Sequence, residues 1–395
     1  MSIPTLRMNA ERSPRLRAGS PWIFANELGA QQTQLEPGTV VRIANNQGHA
    51  LGLFHYNPRS LIAARKLSSN SDRPIDAAWF AARFKRADTL RQRVLPGSGP
   101  RFDRLVHGEA DGLPGLIIDR FDDALVIQCN TAGMDRLVEP ITEALTSCFQ
   151  PRHILFRNDS PVRSIEGLEP QTFWAAGGIE VPVTVQEHGV RFQAELATGQ
   201  KTGWYFDQRD NRRLLASLTT DRRMLDLYSY TGGFGLAAAA AGARQCLMID
   251  SSKAAIGLAR SAAANQSFAG LVDFEAADGF KALAQLKADK SRFDVISADP
   301  PPFARSKKDV PAALKAYRKL ASQTADVAGE GAIVALSCCS HNINTDAILK
   351  ECNAGIRQSG RAAQLLTIRG ADLDHPTHPA LPETAYLRFL LFQLD

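Results

Sequence analysis

Cysteine is scarce in this chain: only six of its 395 residues are cysteine. The six form no Cys-x-x-Cys pair and none of the spacings that zinc sites use. A disulfide-stabilised secreted fold and a zinc module are therefore not expected, and a reducing cytoplasm is the expected location. No apolar run approaches the ~20 residues that a membrane-spanning helix needs, so no membrane association is expected. The first residues contain no apolar signal core, and nothing in them predicts export.

Acidic residues are scarce at the N-terminus, whereas the rest of the chain is balanced in charge. Up to Arg73 there are nine Lys and Arg residues and four Asp and Glu residues, a surplus that equals the formal net charge of +5. Residues 1–73 also contain short strand-like stretches broken by Asn and Gly turns, which is typical of a small β-barrel. A compact basic module of this kind predicts binding to a polyanion such as RNA. The alternative is a solvated basic surface.

Residues 74–190 combine a long helix with strands and turns. The stretch after Pro74 has an apolar face and a basic face, as an amphipathic helix does. The segment 107–128 predicts a turn followed by a hairpin, and alternating residues around His188-Gly189 predict another hairpin. These residues therefore predict an α+β middle domain.

From Met224 onward, five strand patterns alternate with four helix patterns, and a last strand closes the chain. This alternation predicts a parallel sheet with helices on both faces. Residues 191–395 are therefore expected to form an α/β domain of the doubly wound, Rossmann-like class. The three predicted domains cover residues 1–73, 74–190 and 191–395.

The ends of the predicted strands indicate where a ligand binds, because open α/β sheets bind ligands beyond the carboxyl ends of their strands. The turn "YTGGFG" lacks the G-x-G-x-x-G spacing of dinucleotide folds and the Lys of a phosphate loop. Acidic residues at strand ends would repel a triphosphate. They suit a ligand with a ribose, an amine and a positive centre, which S-adenosyl-L-methionine has. The alternative is that these acids cap helices or lie solvated. The acids at the first three strand ends are Asp226, Asp250 and Asp278.

Two cysteines stand side by side in "ALSCCSH", directly after the fifth strand. Adjacent cysteines rarely bond to each other, because the small ring strains the disulfide. Three interpretations remain: half of a metal site, two small buried hydrophobic residues, or a thiol nucleophile on a loop. The loop after strand four, "DPPPF", offers a rigid carboxylate, carbonyl groups and an aromatic face to a planar base.

Four segments resemble one family closely: LATGQKTGWYFDQRDNR, LDLYSYTGGFG, ADPPPF and SCCS, at residues 196–212, 225–235, 298–303 and 337–340. They are similar to the bacterial large-subunit (23S) ribosomal RNA cytosine-5 methyltransferases that carry an N-terminal PUA domain. Residues 17–27 and 51–67 look like that PUA domain, and residues 107–121 and 157–168 resemble the middle domain. The resemblance implies a class I methyltransferase fold, S-adenosyl-L-methionine as cofactor and large-subunit ribosomal RNA as partner.

The resemblance also implies roles for individual residues. Cys339 would be the nucleophile if the final Cys-Ser of "SCCS" is aligned with the family pattern, although an offset of one residue leaves Cys338 open. Asp299 would hold the edge of the target cytosine. The residues expected to bind the cofactor are Asp226, Tyr230, Thr231, Gly232, Gly233, Phe234, Gly235, Asp250, Ser251, Asp278, Gly279, Asp299 and Pro300. The residues expected to bind the substrate are Lys201, Thr202, Tyr205, Gln208, Arg209 and Phe303.

The implied chemistry is the formation of 5-methylcytosine through a cysteine adduct, because carbon 5 of cytosine becomes nucleophilic once a thiolate adds to carbon 6. Pro302 stands in the fourth-strand loop in place of a second cysteine, so the route of adduct release is open. Two rival functions remain: an amino-group methyltransferase that leaves both cysteines structural, and a non-catalytic RNA-binding assembly factor. The sequence also leaves open a monomer or a homodimer.

Overall fold

The computed structural model describes residues 3–9, 13–29, 34–97, 99–264, 266–304 and 306–395. The chain divides into two compact units, each built from three segments. The first unit comprises Met1–Val181, Glu195–Trp204 and Leu373–Thr384, and the second comprises Pro182–Ala194, Tyr205–Asp372 and Ala385–Asp395. The finer division into three domains ending at residues 73, 190 and 395 stays a prediction.

The first unit contains two five-stranded sheets. Their strand orders are β1-β3-β4-β5-β2 and β10-β9-β8-β7-β6. Each sheet has its own apolar core cluster. The strands are β1 Thr5–Arg7, β2 Trp22–Ile23, β3 Thr39–Ala44, β4 Ala50–Tyr56, β5 Ala64–Ser68, β6 Phe102–His107, β7 Leu116–Phe121, β8 Ala124–Cys129, β9 His153–Asn158 and β10 Gln171–Ala176. The α-helices are α1 Pro14–Arg17, α2 Ala77–Val94, α3 Ala132–Asp135 and α4 Val138–Phe149.

Helix α2 shows how the local sequence determines an element of this unit. Asp76 precedes the helix, and its carboxylate accepts a hydrogen bond from the main-chain N–H of Trp79 at 2.9 Å. This satisfies one of the N–H groups that a helix start leaves unpaired. Trp79, Phe80 and Phe84 follow at helical spacing and are buried in the core of the second sheet. The helix expected after Pro74 is therefore present and begins at its cap.

The second unit is built on one seven-stranded sheet of order β15-β14-β13-β16-β17-β19-β18, together with a separate hairpin, β11-β12. Its strands are β11 Val183–Glu187, β12 Val190–Ala194, β13 Arg223–Leu227, β14 Gln245–Asp250, β15 Val272–Ala276, β16 Phe293–Ala298, β17 Ala328–Cys338, β18 Ala363–Arg369 and β19 Arg388–Leu394. Its α-helices are α5 Arg209–Ala216, α6 Gly233–Ala240, α7 Lys253–Ala264, α8 Gly279–Ala288, α9 Val310–Val327 and α10 Thr345–Gln358.

The register of the central strands explains why the predicted site residues gather at one edge. Leu227 of β13 lies opposite Ile249 of β14 and Ala298 of β16, and Ala298 lies opposite Leu336 of β17. All four residues stand near the carboxyl ends of parallel strands. The residues that follow them in the chain therefore emerge at the same edge of the sheet, which is where ligands bind in folds of this kind.

The predicted α/β class is confirmed, and so is the hairpin around His188-Gly189. Strand β18 is not evident from the sequence. It pairs with β19, which is antiparallel to both of its neighbours and lies between β17 and β18. Leu365 and Leu366 are adjacent and both partly exposed, so the strand lacks the alternation that would have indicated it. None of the described helices has the length and the apolar composition that crossing a membrane requires.

Candidate active site

The loop after β13 has an unusual backbone. Tyr228 and Tyr230 have φ values of 59° and 48°, and Gly232 has a φ of 83°. Glycine adopts positive φ at little cost, but a bulky side chain does so at a cost of roughly 1–3 kcal/mol, and such residues cluster at functional sites. The main-chain N–H of Tyr230 donates to the Asp250 carboxylate at 2.9 Å, which anchors the strained loop to the end of β14.

Three hydroxyl side chains in this loop are buried and lack a hydrogen-bond partner among the described residues: those of Tyr228, Ser229 and Thr231. Buried hydroxyl groups in folded proteins nearly always have a partner. Burial raises the pKa of Tyr228, and the charge of Asp278 raises it further, so this hydroxyl is protonated and can donate. The loop is therefore equipped to hydrogen-bond a ligand.

Glycines at the start of α6 allow the loop to pass close to β14. A Cβ atom on Gly235 would lie 2.4 Å from Cγ of Met248, and one on Gly232 would lie 3.0 Å from its sulfur. Only glycine fits at Gly235 without displacing the Met248 side chain. Phe234 is buried and stacks on Phe389, with ring centroids 6.1 Å apart. Phe234 therefore anchors α6, which begins at the neighbouring Gly233, to the sheet.

Asp226 is the most deeply buried acid of the site. Its carboxylate accepts hydrogen bonds from the N–H of Gly235 at 2.8 Å and from the Ser297 hydroxyl at 2.5 Å. Burial raises the pKa of Asp226 to about 7, although these two hydrogen bonds oppose the shift and the negative charges of Asp299 and Asp250 add to it. The side chain ties the start of α6 to strand β16, and it stands in a strongly acidic environment.

Asp250 ends β14, as predicted. Besides the N–H of Tyr230, it accepts the N–H of Ser252 at 2.8 Å. These bonds fix the carboxylate in one orientation with about 9% of the residue exposed. Ser251 beside it is exposed. A carboxylate oxygen can accept more than one hydrogen bond, so this geometry is compatible with a ribose hydroxyl as a further donor.

Asp278 lies at the start of α8 and is exposed. It caps the helix, accepting the N–H of Lys281 at 3.0 Å, which is the structural role left open by the sequence. Its contact with the cofactor stays a prediction. Gly279 is buried, and a Cβ atom there would lie 2.8 Å from the Tyr228 ring. Gly279 therefore lets this tyrosine approach the helix.

Asp299 follows β16 and contacts the predicted substrate residue Gln208. The Gln208 Nε2 atom donates to Oδ2 of Asp299 at 3.0 Å and to the Ser337 hydroxyl at 3.1 Å. The Oε1 atom of Gln208 accepts from Asn211 at 2.8 Å. Gln208 is 2% exposed. The glutamine thus links the ends of β16 and β17 in the second unit.

The two adjacent cysteines have different environments. Cys338 is fully buried in the apolar core of the sheet. Burial raises the pKa of the neighbouring Tyr317, and the interactions of Tyr317 with Cys338 raise this pKa further. Cys339 is half-buried, and its Sγ atom lies 3.8 Å from the main-chain oxygen of Pro300. The buried residue Ser340 follows. The chain thus turns one thiol into the core and the other toward the fourth-strand loop.

Aromatic residues predicted to bind substrate lie near this edge of the sheet but have partners of their own. Tyr205 packs edge-on against Tyr230, with centroids 5.5 Å apart. Burial raises the pKa of Tyr205 well above its usual value, and the charge of Asp299 contributes to the shift. Phe303 lies 4.8 Å from the Tyr317 ring and packs on the core of the sheet. Stacking of a base on Phe303 stays a prediction.

Arg209 lies in the same segment as Gln208, but it is engaged in ion pairs. Its guanidinium donates to Asp372 at 2.9 Å and lies 3.7 Å from Glu187. Arg212 binds the same Glu187 at 2.7 Å and donates to the main-chain oxygen of Tyr205. These buried pairs hold the first turn of α5 against the hairpin and against the loop after β18. A direct contact of Arg209 with substrate stays a prediction.

Lys201 and Thr202 belong to the first unit rather than the second. Thr202 is fully buried and its hydroxyl donates to Asp119, which also forms a bidentate ion pair with Arg104. Lys201 is exposed and has a φ of 49°. The structure therefore gives Thr202 an anchoring role within its own unit, and the substrate contacts of both residues stay predictions.

Four residues of the site are not evident from the sequence: Tyr228, Asn211, Ser297 and Ser337. The signal is weak because each is a common residue type beside a more conspicuous motif. The roles of the last three depend on partners 71 to 159 positions away in the chain. Tyr228 has the sequence pattern of a strand end, and only its positive φ and its buried hydroxyl mark it as special.

The residues present fit S-adenosyl-L-methionine. The buried hydroxyls of the β13 loop offer donors and acceptors for a polar ligand, and Asp250 stands at the strand end where a ribose binds in doubly wound folds. Burial is the main cause of the raised pKa of Asp226, and the negative charges of Asp299 and Asp250 add to it, so these two acids lie close enough to act at one point. A sulfonium centre is positively charged and would be attracted there. The fold and the site together define a methyltransferase of the Rossmann-like class.

Comparison with known proteins supports this class. A family model described as S-adenosylmethionine-dependent methyltransferase matches residues 93–393, and a PUA-like domain model matches residues 6–69. The chain therefore belongs to the S-adenosylmethionine-dependent methyltransferase family, and its cofactor is S-adenosyl-L-methionine. Its N-terminal domain is PUA-like.

Curated relatives match nearly the full length of the chain. A protein of Aeromonas salmonicida named "Ribosomal RNA large subunit methyltransferase I" is 33% identical over 385 residues, covering 96% of each chain. A protein of the same name from Aliivibrio fischeri is 32% identical over 380 residues, covering 95% of this chain and 96% of its own. These alignments thus span both the PUA-like and the methyltransferase parts of this chain.

Solved structures show the same fold. A protein from Streptococcus mutans described as a SAM-dependent methyltransferase superposes with a TM-score of 0.83 at 18% identity, covering 99% of this chain and 100% of its own. A protein solved in complex with SAH and described as a methyltransferase has a TM-score of 0.83 at 19% identity, with full coverage of both chains. At these identities the likeness establishes the fold alone.

Proposed function

We propose that this protein methylates carbon 5 of a cytosine in large-subunit ribosomal RNA, with Cys339 as the covalent nucleophile. The observation that carries the proposal is the position of the Cys339 thiol, which is half-buried and lies 3.8 Å from the main-chain oxygen of Pro300. Pro300 directly follows Asp299 in the chain. The curated relatives supply the substrate class through their name. Acting on ribosomal RNA, the protein would work in the cytoplasm.

The proposed reaction begins at the thiolate of Cys339. It adds to carbon 6 of the cytosine, forming a carbon–sulfur bond, and the electrons of the 5,6 double bond move to the ring. Carbon 5 is then nucleophilic and takes the methyl group that bound S-adenosyl-L-methionine would supply, so that the sulfur–methyl bond breaks and SAH is left. The C5 proton passes to solvent, and the electrons of the carbon–hydrogen bond restore the double bond and expel the Cys339 thiolate. Asp299 holds the polar edge of the ring and stabilises charge as it develops.

The PUA-like region supplies the proposed RNA-binding surface. Arg7, Arg17 and Arg59 are exposed there, in the part of the chain that carries the whole basic surplus. Their charges attract the phosphate backbone without reading sequence. The target base must leave its stack to reach the strand-end site, which single-stranded loops of RNA allow.

Nucleoside analysis of large-subunit ribosomal RNA tests the proposal. A deletion strain should lack 5-methylcytosine at one position, and the wild-type gene should restore it. RNA that carries 5-fluorocytosine at that position should form a covalent adduct with the protein that survives denaturation, because fluorine cannot leave as the proton does. A methylated exocyclic amine without any adduct would replace this proposal with amino-group methylation. If the deletion strain loses neither 5-methylcytosine nor a methylated amine, and the protein does not turn over the cofactor, a non-catalytic assembly factor would be favoured.

A further inference from the structure

The amide of Gln208 has only one orientation that its surroundings permit. The main-chain oxygen of Gly370 is an acceptor, so Nδ2 of Asn211, which lies 3.1 Å away, must face it. The same Nδ2 atom lies 2.8 Å from Gln208 and donates to its Oε1. The Nε2 end of Gln208 is therefore the end that faces Asp299. A backbone carbonyl thus determines the direction of a chain of hydrogen bonds that ends at the site.

We propose that Gln208 is a positioning residue that holds Asp299 as a hydrogen-bond acceptor, and that this makes the site specific for a base carrying an amino group. Nε2 of Gln208 donates to Oδ2 of Asp299 at 3.0 Å. A hydrogen bond donated to a carboxylate favours its ionised form. An ionised Asp299 accepts from the amino group of cytosine, whereas the carbonyl oxygen that uracil has at the same position is repelled.

The same amide also fixes where Asp299 stands. The second acceptor of Nε2 is the Ser337 hydroxyl at 3.1 Å, at the end of β17. Gln208 and Ser337 are 2% and 3% exposed, so water does not compete for these bonds. Because Cys339 follows Ser337 by two residues, one side chain contacts both the acid at the end of β16 and the strand end that leads to the thiol.

This inference rests on the proposed function, because it assigns Asp299 to the edge of the target cytosine. Three full-length variants test it: Gln208→Leu removes the donor, Gln208→Glu replaces it with a second acid, and Asn211→Ala releases the orientation of the amide. Gln285→Glu is the matched control, because Gln285 also donates to an aspartate, Asp289 at 2.9 Å, but on the exposed surface of α8.

The substrates are an RNA fragment that carries the mapped target cytosine and the same fragment with uridine there. Gln208→Leu should lower kcat/KM on the cytosine fragment about 10- to 100-fold, the usual effect of losing a hydrogen bond to a charged group. Gln208→Glu should shift the pH–rate profile upward by about one unit or more, because two adjacent carboxyl groups share a proton. Its preference for cytosine over uridine should fall at least about 10-fold at pH ~6, where that shared proton is retained.

Asn211→Ala should lower the preference for cytosine over uridine, as Gln208→Glu does. Gln285→Glu should change neither this preference nor the pH–rate profile. Affinity for SAH, measured by calorimetry, should match wild type in every variant that folds. An unchanged pH profile and an unchanged base preference in both Gln208 variants would overturn the inference while leaving cytosine-5 methylation intact. A wild-type protein that methylates a base without an amino group would overturn the proposed function and this inference together.

Discussion

The thiol of Cys339 lies against the main-chain oxygen of Pro300, at 3.8 Å, across the gap between two neighbouring strands of the sheet. Cys338, one residue earlier, is fully buried. Successive residues of an extended chain point to opposite sides, so only one of the two thiols can face the loop that carries Asp299. This difference supports Cys339 as the proposed nucleophile.

Cys339→Ala should abolish methylation and leave cofactor binding unchanged. The thiol acts in the chemical step, so its loss raises the barrier without removing a contact that binds the cofactor. Methyl transfer to large-subunit ribosomal RNA, measured with labelled S-adenosyl-L-methionine, should fall to background, and calorimetry should give the wild-type Kd. Normal methylation by this variant would exclude a cysteine-adduct mechanism through Cys339.

Cys338→Ala is the matched control. Its side chain fills space in the core, so the substitution should lower the free energy of unfolding by about 1 kcal/mol through a small cavity. Most of the methyl-transfer rate should remain. If Cys338→Ala is the inactive variant and Cys339→Ala is active, the family alignment is displaced by one residue.

Asp250→Ala should weaken binding of S-adenosyl-L-methionine by roughly 1–3 kcal/mol, because it removes charge-assisted hydrogen bonds and frees the loop at Tyr230. Titration calorimetry measures the change directly. Asp273→Ala is a suitable control, since Asp273 is an exposed acid on the next strand that contacts Gln245. Equal affinity in the Asp250 variant and the control would remove Asp250 from the cofactor site.

Tyr228→Phe should separate ligand binding from stability. The hydroxyl is buried without a partner among the described residues, so its removal should leave the unfolding free energy unchanged or raise it by about 1 kcal/mol. If the hydroxyl serves the cofactor, affinity for S-adenosyl-L-methionine should fall by about 1 kcal/mol at the same time. Thermal unfolding with and without cofactor measures both effects. A loss of stability without any loss of affinity would contradict the ligand-binding role.

Asp226→Asn should remove a pH dependence of stability. With a pKa of about 7 in the folded protein against an ordinary value of 3.8, Asp226 retains a proton that the unfolded chain releases between these values. The stabilising contribution is complete below pH ~4 and is lost as the pH rises through about 7. Relative to the Asn variant, the wild type should therefore lose up to about 4 kcal/mol between pH ~4 and pH ~8, at about 1.4 kcal/mol per pKa unit. Urea denaturation at each pH measures the free energy of unfolding of both proteins. If the two free energies change in parallel with pH, the pKa of Asp226 is ordinary.

Replacing Arg7, Arg17 and Arg59 with Gln should weaken RNA binding and flatten its salt dependence. For each phosphate that the variant no longer neutralises, the slope of log K against log salt should fall by about 0.7 to 0.9. Filter binding at several salt concentrations measures the slope. The control replaces three exposed basic residues of the second unit with Gln: Lys290, Lys315 and Lys350. Identical slopes in both variants would remove the PUA-like region from RNA binding.

Much of this protein was determined by its sequence alone, because the signals were local. The alternation of strand and helix after Met224 specified a parallel sheet, and the residues at successive strand ends specified one edge of it. The same signals place the β13 loop, Asp250, Asp299 and the cysteine pair at that edge. Hairpins and caps, such as Asp76 before α2, also follow from neighbouring residues.

The tertiary structure decided what depends on distant partners. The sequence could not show that Cys338 packs in a core while Cys339 faces the fourth-strand loop, since both are identical side chains on one strand end. Nor could it show that Gln208 meets Asp299, 91 residues away, or that Arg209 is engaged in a buried ion pair. Burial and hydrogen bonding arise only when the sheet is assembled, because long-range register brings these side chains together.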